Sequence, residues 1–339
     1  MFVDNLCHSL VGAVMSAGGL RRRTGLATVT MVIGANLPDV DAIVYLTSDA
    51  STGLAFRRGW THGVLAMAIF PVVLTVIMLA LGRAIEAGRA GRPVKRAPMP
   101  VRPLELLLLS AISIWSHPLF DLLNTYGVRL LMPFSGRWFY GDALFIIDPW
   151  LWIVLGVGTF VSLRRARSVP VGAASPVVMR RAERPARLAM TIVGVYIGVM
   201  LATSTFGRLL VERQAVAAGR EPARHVMVGP VPLTPLTRTV VRELSDRYEI
   251  GELTWSIPPR YLPASTSIEP NLANRAVRTA ALSPPVERFF VWSRFPYAET
   301  TSSPGGTIVR FDDARYAARG GQSFASTTVA VPTEMFDSR

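Results

Sequence analysis

The chain has 339 residues, half of them hydrophobic, with a mean hydropathy of +0.35 and a net charge of +13. That hydropathy argues against an ordinary soluble domain, and a single cysteine, Cys7, excludes an internal disulfide framework. The basic residues, nearly all arginine, cluster between apolar runs instead of along one face, so membrane loops explain them better than direct nucleic-acid binding.

Residues 4–20 form a short apolar run that carries Asp4 and His8 and lacks the basic start of a cleaved signal peptide. Residues 24–46 form a second run, interrupted by Asn36, Pro38, Asp39 and Asp41. Both are compatible with spans, re-entrant pieces or helices packed inside a bundle. Residues 64–81 and 188–206 contain no charge. Residues 103–123 carry Glu105, His117 and Asp121, and residues 143–163 carry only Asp148. A spanning helix needs about 20 mostly apolar residues. The expectation is a polytopic α-helical membrane domain over 1–207, with about five to six hydrophobic helices.

Basic residues alternate between the loops. Arg21, Arg22 and Arg23 follow the first run, Arg83 to Arg102 the third, and Arg164 to Arg187 the fifth. The opposite loops hold only Arg57, Arg58, Arg129 and Arg137. Cytoplasmic loops carry the excess of Lys and Arg. With about six crossings both termini then lie outside, in a multi-pass protein of a bacterial cytoplasmic (inner) membrane. Residues 208–339 change character, with more prolines and with alternating runs at 288–301, 305–316 and 323–332 that read as antiparallel strands. A short helix is expected near 270–282. This is a smaller, extracytoplasmic α+β, β-rich domain. His225 within it reads as a lone surface histidine.

On this topology His8, Asp39, Asp41, His62, His117, Asp121, Asp142 and Asp148 all converge on the outer leaflet. Ionisable groups at membrane depth are costly and mark function. A metal site, a proton relay and buried pairs that fix the bundle all remain open. Imidazole with carboxylate suits Zn, Mn or Fe better than Ca. His117 and Asp121 are i and i+4 and share a helix face, and Pro118 suits a local helix start. Asp39 and Asp41 are i and i+2, which point apart on a helix but share a side in an extended segment. Pro38 disfavours helix at Leu37, so a broken, cavity-lining segment is expected there.

The stretches DNLCHSLVG, GANLPDVD, RRGWTHG and SHPLFDLLNTYGVRLLMPFSGRWFYGD, taken in order, resemble the YdjM-type family of bacterial inner-membrane proteins, described as metal-dependent hydrolases. The resemblance covers roughly residues 1–210. It implies His8, Asp39, Asp41, His62, His117 and Asp121 as candidate ligands. Two departures stand out: Arg57-Arg58-Gly59 where the family often has His-Arg-Gly, and Gly63 after His62 where Ser is common. A weaker similarity is to the His/Asp layout of zinc-dependent phospholipase C-like proteins.

The function expected is metal-assisted hydrolysis, with one or two divalent ions, Zn or Mn foremost, lowering the pKa of a bound water to near 7. His117 and Asp41 are the expected catalytic residues. Asp41 is open between a bridging ligand, an orienting partner of a histidine and the general base. Arg57 and Arg58 are candidate holders of a substrate phosphate. A site at the outer leaflet points to a membrane lipid or a lipid-linked ester or phosphodiester. The first alternative is a non-enzymatic membrane scaffold or envelope-stress protein with a structural metal. A proton- or ion-coupled transporter ranks last, because no inverted repeat is visible.

Overall fold

An apolar run must satisfy its backbone polar groups internally, and a helix does so within one segment. The computed structural model describes residues 4–89, 99–170, 175–317 and 325–333. These form two compact units. One comprises the described residues up to 41 and from 58 to 200, the other those from 42 to 57 and from 201 onward. The division falls seven residues before the expected boundary, and it moves residues 42–57 out of the membrane unit.

In the first unit, α1 (Asn5–Ala17) starts at Asp4, whose side chain accepts the Cys7 N–H. It is followed by α2 (Ala27–Asn36), which runs directly into a 3-10 segment (Leu37–Ile43). In the second unit come α3 (Val44–Thr47) and α4 (Ala50–Phe56). The first unit resumes with α5 (Val64–Arg89), α6 (Pro103–Leu122), α7 (Pro149–Arg167) and α8 (Pro176–Ala217), whose last part belongs to the second unit. Four stretches among the described residues are long and apolar enough to cross a membrane: Ala27–Thr47, Val64–Arg89, Pro103–Leu122 and Pro176–Ala217. The other two expected runs are also helical. At about 1.5 Å per residue, however, the 13 residues of α1 reach only about 20 Å of the roughly 30 Å apolar core. Helix α7 begins six residues later than its apolar run and ends on Arg164, Arg165 and Arg167.

Helix α2 packs against α1, α5 and α6. Small residues permit this. A Cβ on Gly12 of α1 would meet the Met31 carbonyl oxygen at 2.5 Å, and one on Gly34 of α2 would collide with the Ser113 hydroxyl of α6. Without a hydrophobic drive between helices in lipid, close backbone approach is a main source of packing energy. One core joins Cys7, Val11 and Val14 of α1 to Leu151 and Leu155 of α7 and Ala186, Ala189 and Val193 of α8. A second joins Leu74 and Met78 of α5 to Leu106 and Ile114 of α6. Outward faces stay apolar too, as at Val72, Val73, Val76 and Ile77 of α5, which is the signature of a lipid-facing helix. Pro118 lies inside α6 instead of opening a helix, because the turn before it is already formed.

In the second unit, β1 (His225–Val231), β2 (Thr234–Glu243), β3 (Tyr248–Thr254) and β4 (Arg260–Ile268) form an antiparallel meander. Alternation assigns its faces. Val228, Val240 and Leu253 pack on Val211 and Ala215 of α8, while Met227, Val241 and Tyr248 pack on Phe295 and Ala314. Then follow α9 (Arg275–Ala281), near where a helix is expected, and α10 (Pro284–Trp292). A second antiparallel sheet holds β5 (Pro296–Ser303), β6 (Gly306–Asp313) and β7 (Thr327–Pro332), with the short α11 (Ala314–Ala317) between the last two. The strand expected over 288–301 is therefore helical in its first part. Pro284 at the first helical position starts α10, and the three-residue spacing of buried Val286, Phe289 and Trp292 suits a helix face. Residues 323 and 324 of the last expected strand lie outside the described residues. His225 is an exposed histidine, and its Nδ1 lies 2.8 Å from Glu243.

Candidate metal centre

Three parts of the first unit bring ionisable side chains together: the 3-10 segment after α2, the turn before α5, and the last turns of α6. Among the described residues, Asp39, His62, His117 and Asp121 each offer a donor atom, and the four atoms lie within 4.8 Å of one another. All four residues are buried. Asp121 Oδ2 lies 3.2 Å from His62 Nε2 and 3.6 Å from His117 Nε2. Asp39 Oδ1 lies 3.6 Å from His117 Nε2 and 3.9 Å from His62 Nε2.

The Nδ1 contacts of the two rings set their orientation. A backbone carbonyl can only accept, so His117 Nδ1 donates to Ala35 O at 2.6 Å, and in the neutral ring Nε2 then carries the lone pair. The Thr61 hydroxyl donates to Asp41 Oδ2 at 3.0 Å, so its own lone pair receives the Nδ1–H of His62 at 2.9 Å. In their neutral forms, both rings therefore turn an Nε2 lone pair inward. His62 Nε2, His117 Nε2 and Asp121 Oδ2 are buried without a hydrogen-bond partner, an arrangement that native proteins avoid unless something else satisfies it. Four donors about 2.1 Å from a tetrahedral ion stand about 3.4 Å apart, close to the separations found. The residues fit a divalent metal.

Asp39 and Asp41 do not share a side. The chain after Pro38 winds as a 3-10 helix instead of extending, because α2 continues straight into it. Two residues on such a helix are about 120° apart. Asp39 faces the Nε2 atoms, while Asp41 faces the opposite edge of His62, with Oδ2 3.5 Å from Nδ1. Asp41 Oδ2 also accepts the Arg58 N–H at 2.8 Å. The carboxylate thereby orients a histidine through its far nitrogen, a common arrangement around metals. We predict that Asp41→Asn weakens metal binding by about tenfold without abolishing it, read as the zinc dissociation constant of the purified protein.

His8 stands beside the group and not in it. Its ring stacks on His117 with centroids 3.7 Å apart, and Nε2 lies 3.5 Å from Asp121 Oδ1. Arg58 is buried, with its guanidinium 2.9 Å from Asp121 Oδ1, 2.9 Å from Asn124 Oδ1 and 4.7 Å from the Tyr126 ring. It compensates the charge of Asp121 inside the bundle. Arg57, one residue earlier, belongs to the other unit, where it is buried with its guanidinium 5.9 Å from the Tyr45 ring. Asp148 caps α7 and accepts the Tyr196 hydroxyl at 2.9 Å, and neither it nor Asp142 is among the four donors. Sequence reading missed Thr61, Asn124 and the Ala35 carbonyl. The signal available for Asn124 is its place in Asn124-Thr125-Tyr126-Gly127, whose Asn and Gly are residue types that turns favour.

Comparison with known proteins agrees with the first unit. Residues 3–206 match the model of the YdjM inner membrane protein family. A 125-residue stretch is 22% identical to the uncharacterized protein YfhP of Bacillus subtilis strain 168, covering 37% of this chain and 33% of that relative. The match thus spans about a third of the relative's length. No solved structure matches. With the family model covering well over half of its length, this chain belongs to the YdjM inner membrane protein family.

Proposed function

We propose that this protein is a membrane-embedded metal-dependent hydrolase whose centre is Asp39, His62, His117 and Asp121. The observation that carries the reading is the pair of inward-facing Nε2 atoms, each ring oriented by a protein acceptor on Nδ1, set against two buried carboxylates. Two imidazoles with two carboxylates and no thiolate suit Zn or Mn. When bound, the ion supplies Lewis acidity and a water that ionises near pH 7. Ala35 O holds the tautomer of His117, while Thr61 and Asp41 hold that of His62. Arg58 holds Asp121 in place by an ion pair. A cavity of about 20 Å³ beside His8, Asp121 and Asn124 has room for a single water.

The alternation of basic loops supports about five to six crossings with the centre in the outer half of the membrane and the C-terminal part outside the cytoplasm. That location favours a lipid or lipid-linked ester or phosphodiester as substrate. One observation favours a second reading, a structural metal in a non-enzymatic scaffold: four protein donors already complete a tetrahedron, as in closed structural sites.

The deciding experiment uses the full chain purified in detergent and loaded with Zn or Mn. Stoichiometric metal with metal-dependent turnover of phospholipid or phosphodiester substrates supports the hydrolase. Metal without turnover of any of them supports the structural reading. No metal after loading ends both. A C-terminal reporter fusion tests the orientation independently, and a cytoplasmic signal overturns it.

A further inference from the structure

Residues 42–57 leave the first unit immediately after Asp41 and return to it immediately before Arg58. The two ends of this excursion are tied together, because Asp41 Oδ2 accepts the Arg58 N–H at 2.8 Å. The same oxygen accepts the Thr61 hydroxyl, which in turn holds His62 Nδ1. The neck of the excursion is thus two hydrogen bonds, both through Thr61, from a proposed metal donor.

The far end of the excursion is gripped within the second unit. Helix α4 packs along α10. Arg288 of α10 donates Nε–H to the Ser51 hydroxyl at 3.1 Å and Nη2–H to Asp49 Oδ2 at 3.2 Å. Asp49 also caps α4, accepting the Thr52 N–H at 2.7 Å and the Ser51 hydroxyl at 2.6 Å. The excursion is stiff in between: Tyr45 lies over Gly53, where any Cβ would strike its ring, and under the guanidinium of Arg57. A short, helical, internally packed segment transmits displacement better than a flexible loop would.

We propose that Arg288 is a positioning residue for the metal centre, holding the 42–57 excursion so that its neck, Asp41 and Arg58, keeps His62 in its binding orientation. Every link is either a contact inside one unit or a peptide bond. The inference rests on the metal reading above. It gives the C-terminal part a role in the site, although Arg288 lies outside the family-matched residues 3–206.

The test is made on the full chain in detergent, with zinc affinity and amide exchange measured for wild type, Arg288→Ala, Arg288→Glu and Arg288→Lys. Arg310→Ala, which removes the Arg310–Asp312 pair on β6, is the control. Exposed ion pairs are individually weak, so Arg288→Ala is expected to lower zinc affinity about threefold. Arg288→Glu, which sets a carboxylate against Asp49, is expected to lower it about tenfold. Exchange should quicken at the Arg58 amide in both, Arg288→Lys should recover most of the loss, and Arg310→Ala should change neither readout. Unchanged affinity and unchanged exchange in Arg288→Glu overturn the proposal, as does an equal effect in Arg310→Ala. If wild type binds no zinc, the metal reading has failed on its own. Exchange at Arg58 then still decides the positioning claim: unchanged protection in Arg288→Glu overturns it, and lost protection upholds it.

Discussion

His117→Ala is expected to lower zinc affinity by about a hundredfold or more. A four-donor zinc site contributes about 10–16 kcal/mol, so each donor accounts for about 3 kcal/mol. His117 also holds its ring by the bond to Ala35 O, so no neighbouring side chain is placed to substitute for it. Asp39→Ala and Asp121→Asn should act similarly, and Asp121→Asn also leaves the buried Arg58 facing a neutral amide. His8→Ala is the informative contrast. A ring that only stacks on His117 and touches Asp121 through Oδ1 should cost about tenfold at most. A loss as large as that of His117→Ala would make His8 a fifth donor and overturn the four-donor centre. Metal analysis and competition with a chelating dye on the purified variants give both numbers.

Asp313→Asn is expected to destabilise the C-terminal part by about 3–5 kcal/mol. Asp313 is fully buried on β6 and accepts the Ser293 hydroxyl at 2.7 Å, the Arg294 N–H at 2.7 Å and the Phe295 N–H at 3.1 Å. Arg315 donates to both its oxygens, Nε at 2.8 Å and Nη2 at 2.9 Å. Burial by itself would raise the carboxyl's pKa, but the charge and hydrogen bonds of Arg315 overcome it and hold the value down at about 2. The folded value lies below the ordinary 3.8. The stabilisation is therefore fully present above about pH 4 and is lost as pH falls through about 2. Its size is about 2 kcal/mol at roughly 1.4 kcal/mol per pKa unit. Denaturation of the wild type followed by amide exchange in β6 and α10 should show this acid dependence, and Asp313→Asn should be weaker and lack it. A variant as stable as wild type at pH 7 would show that the buried pair is dispensable.

Much of the first unit is legible in the chain because lipid imposes a strict rule. Long uncharged runs have few ways to exist, and an Asp or His inside one stands out. That is why His8, Asp39, Asp41, His62, His117 and Asp121 stand out as candidates in the chain, with no way to choose among them. The i, i+4 spacing of His117 and Asp121 likewise fixes their shared face. The second unit is less legible. The run at 288–292 alternates in places like a strand, yet its buried residues are spaced by three, and only the surface it packs against decides between the two readings. The partners of the site are hidden for a related reason. Arg58 and Asp121 are far apart in sequence, and nothing local predicts their 2.9 Å contact.

Read alone, the chain shows which residues must be kept from lipid, where helices long enough to span can form, and which side chains are chemically able to hold a metal. These follow from composition and local spacing. It took the folded chain to distinguish Asp39, which faces the two Nε2 atoms, from Asp41, because a 3-10 turn and an extended strand place i and i+2 differently. Only it separated His8, stacked on a ring, from the four donors. And only it assigned residues 42–57 to the C-terminal unit, because that depends on the fit of α4 against α10, a contact between segments more than two hundred residues apart.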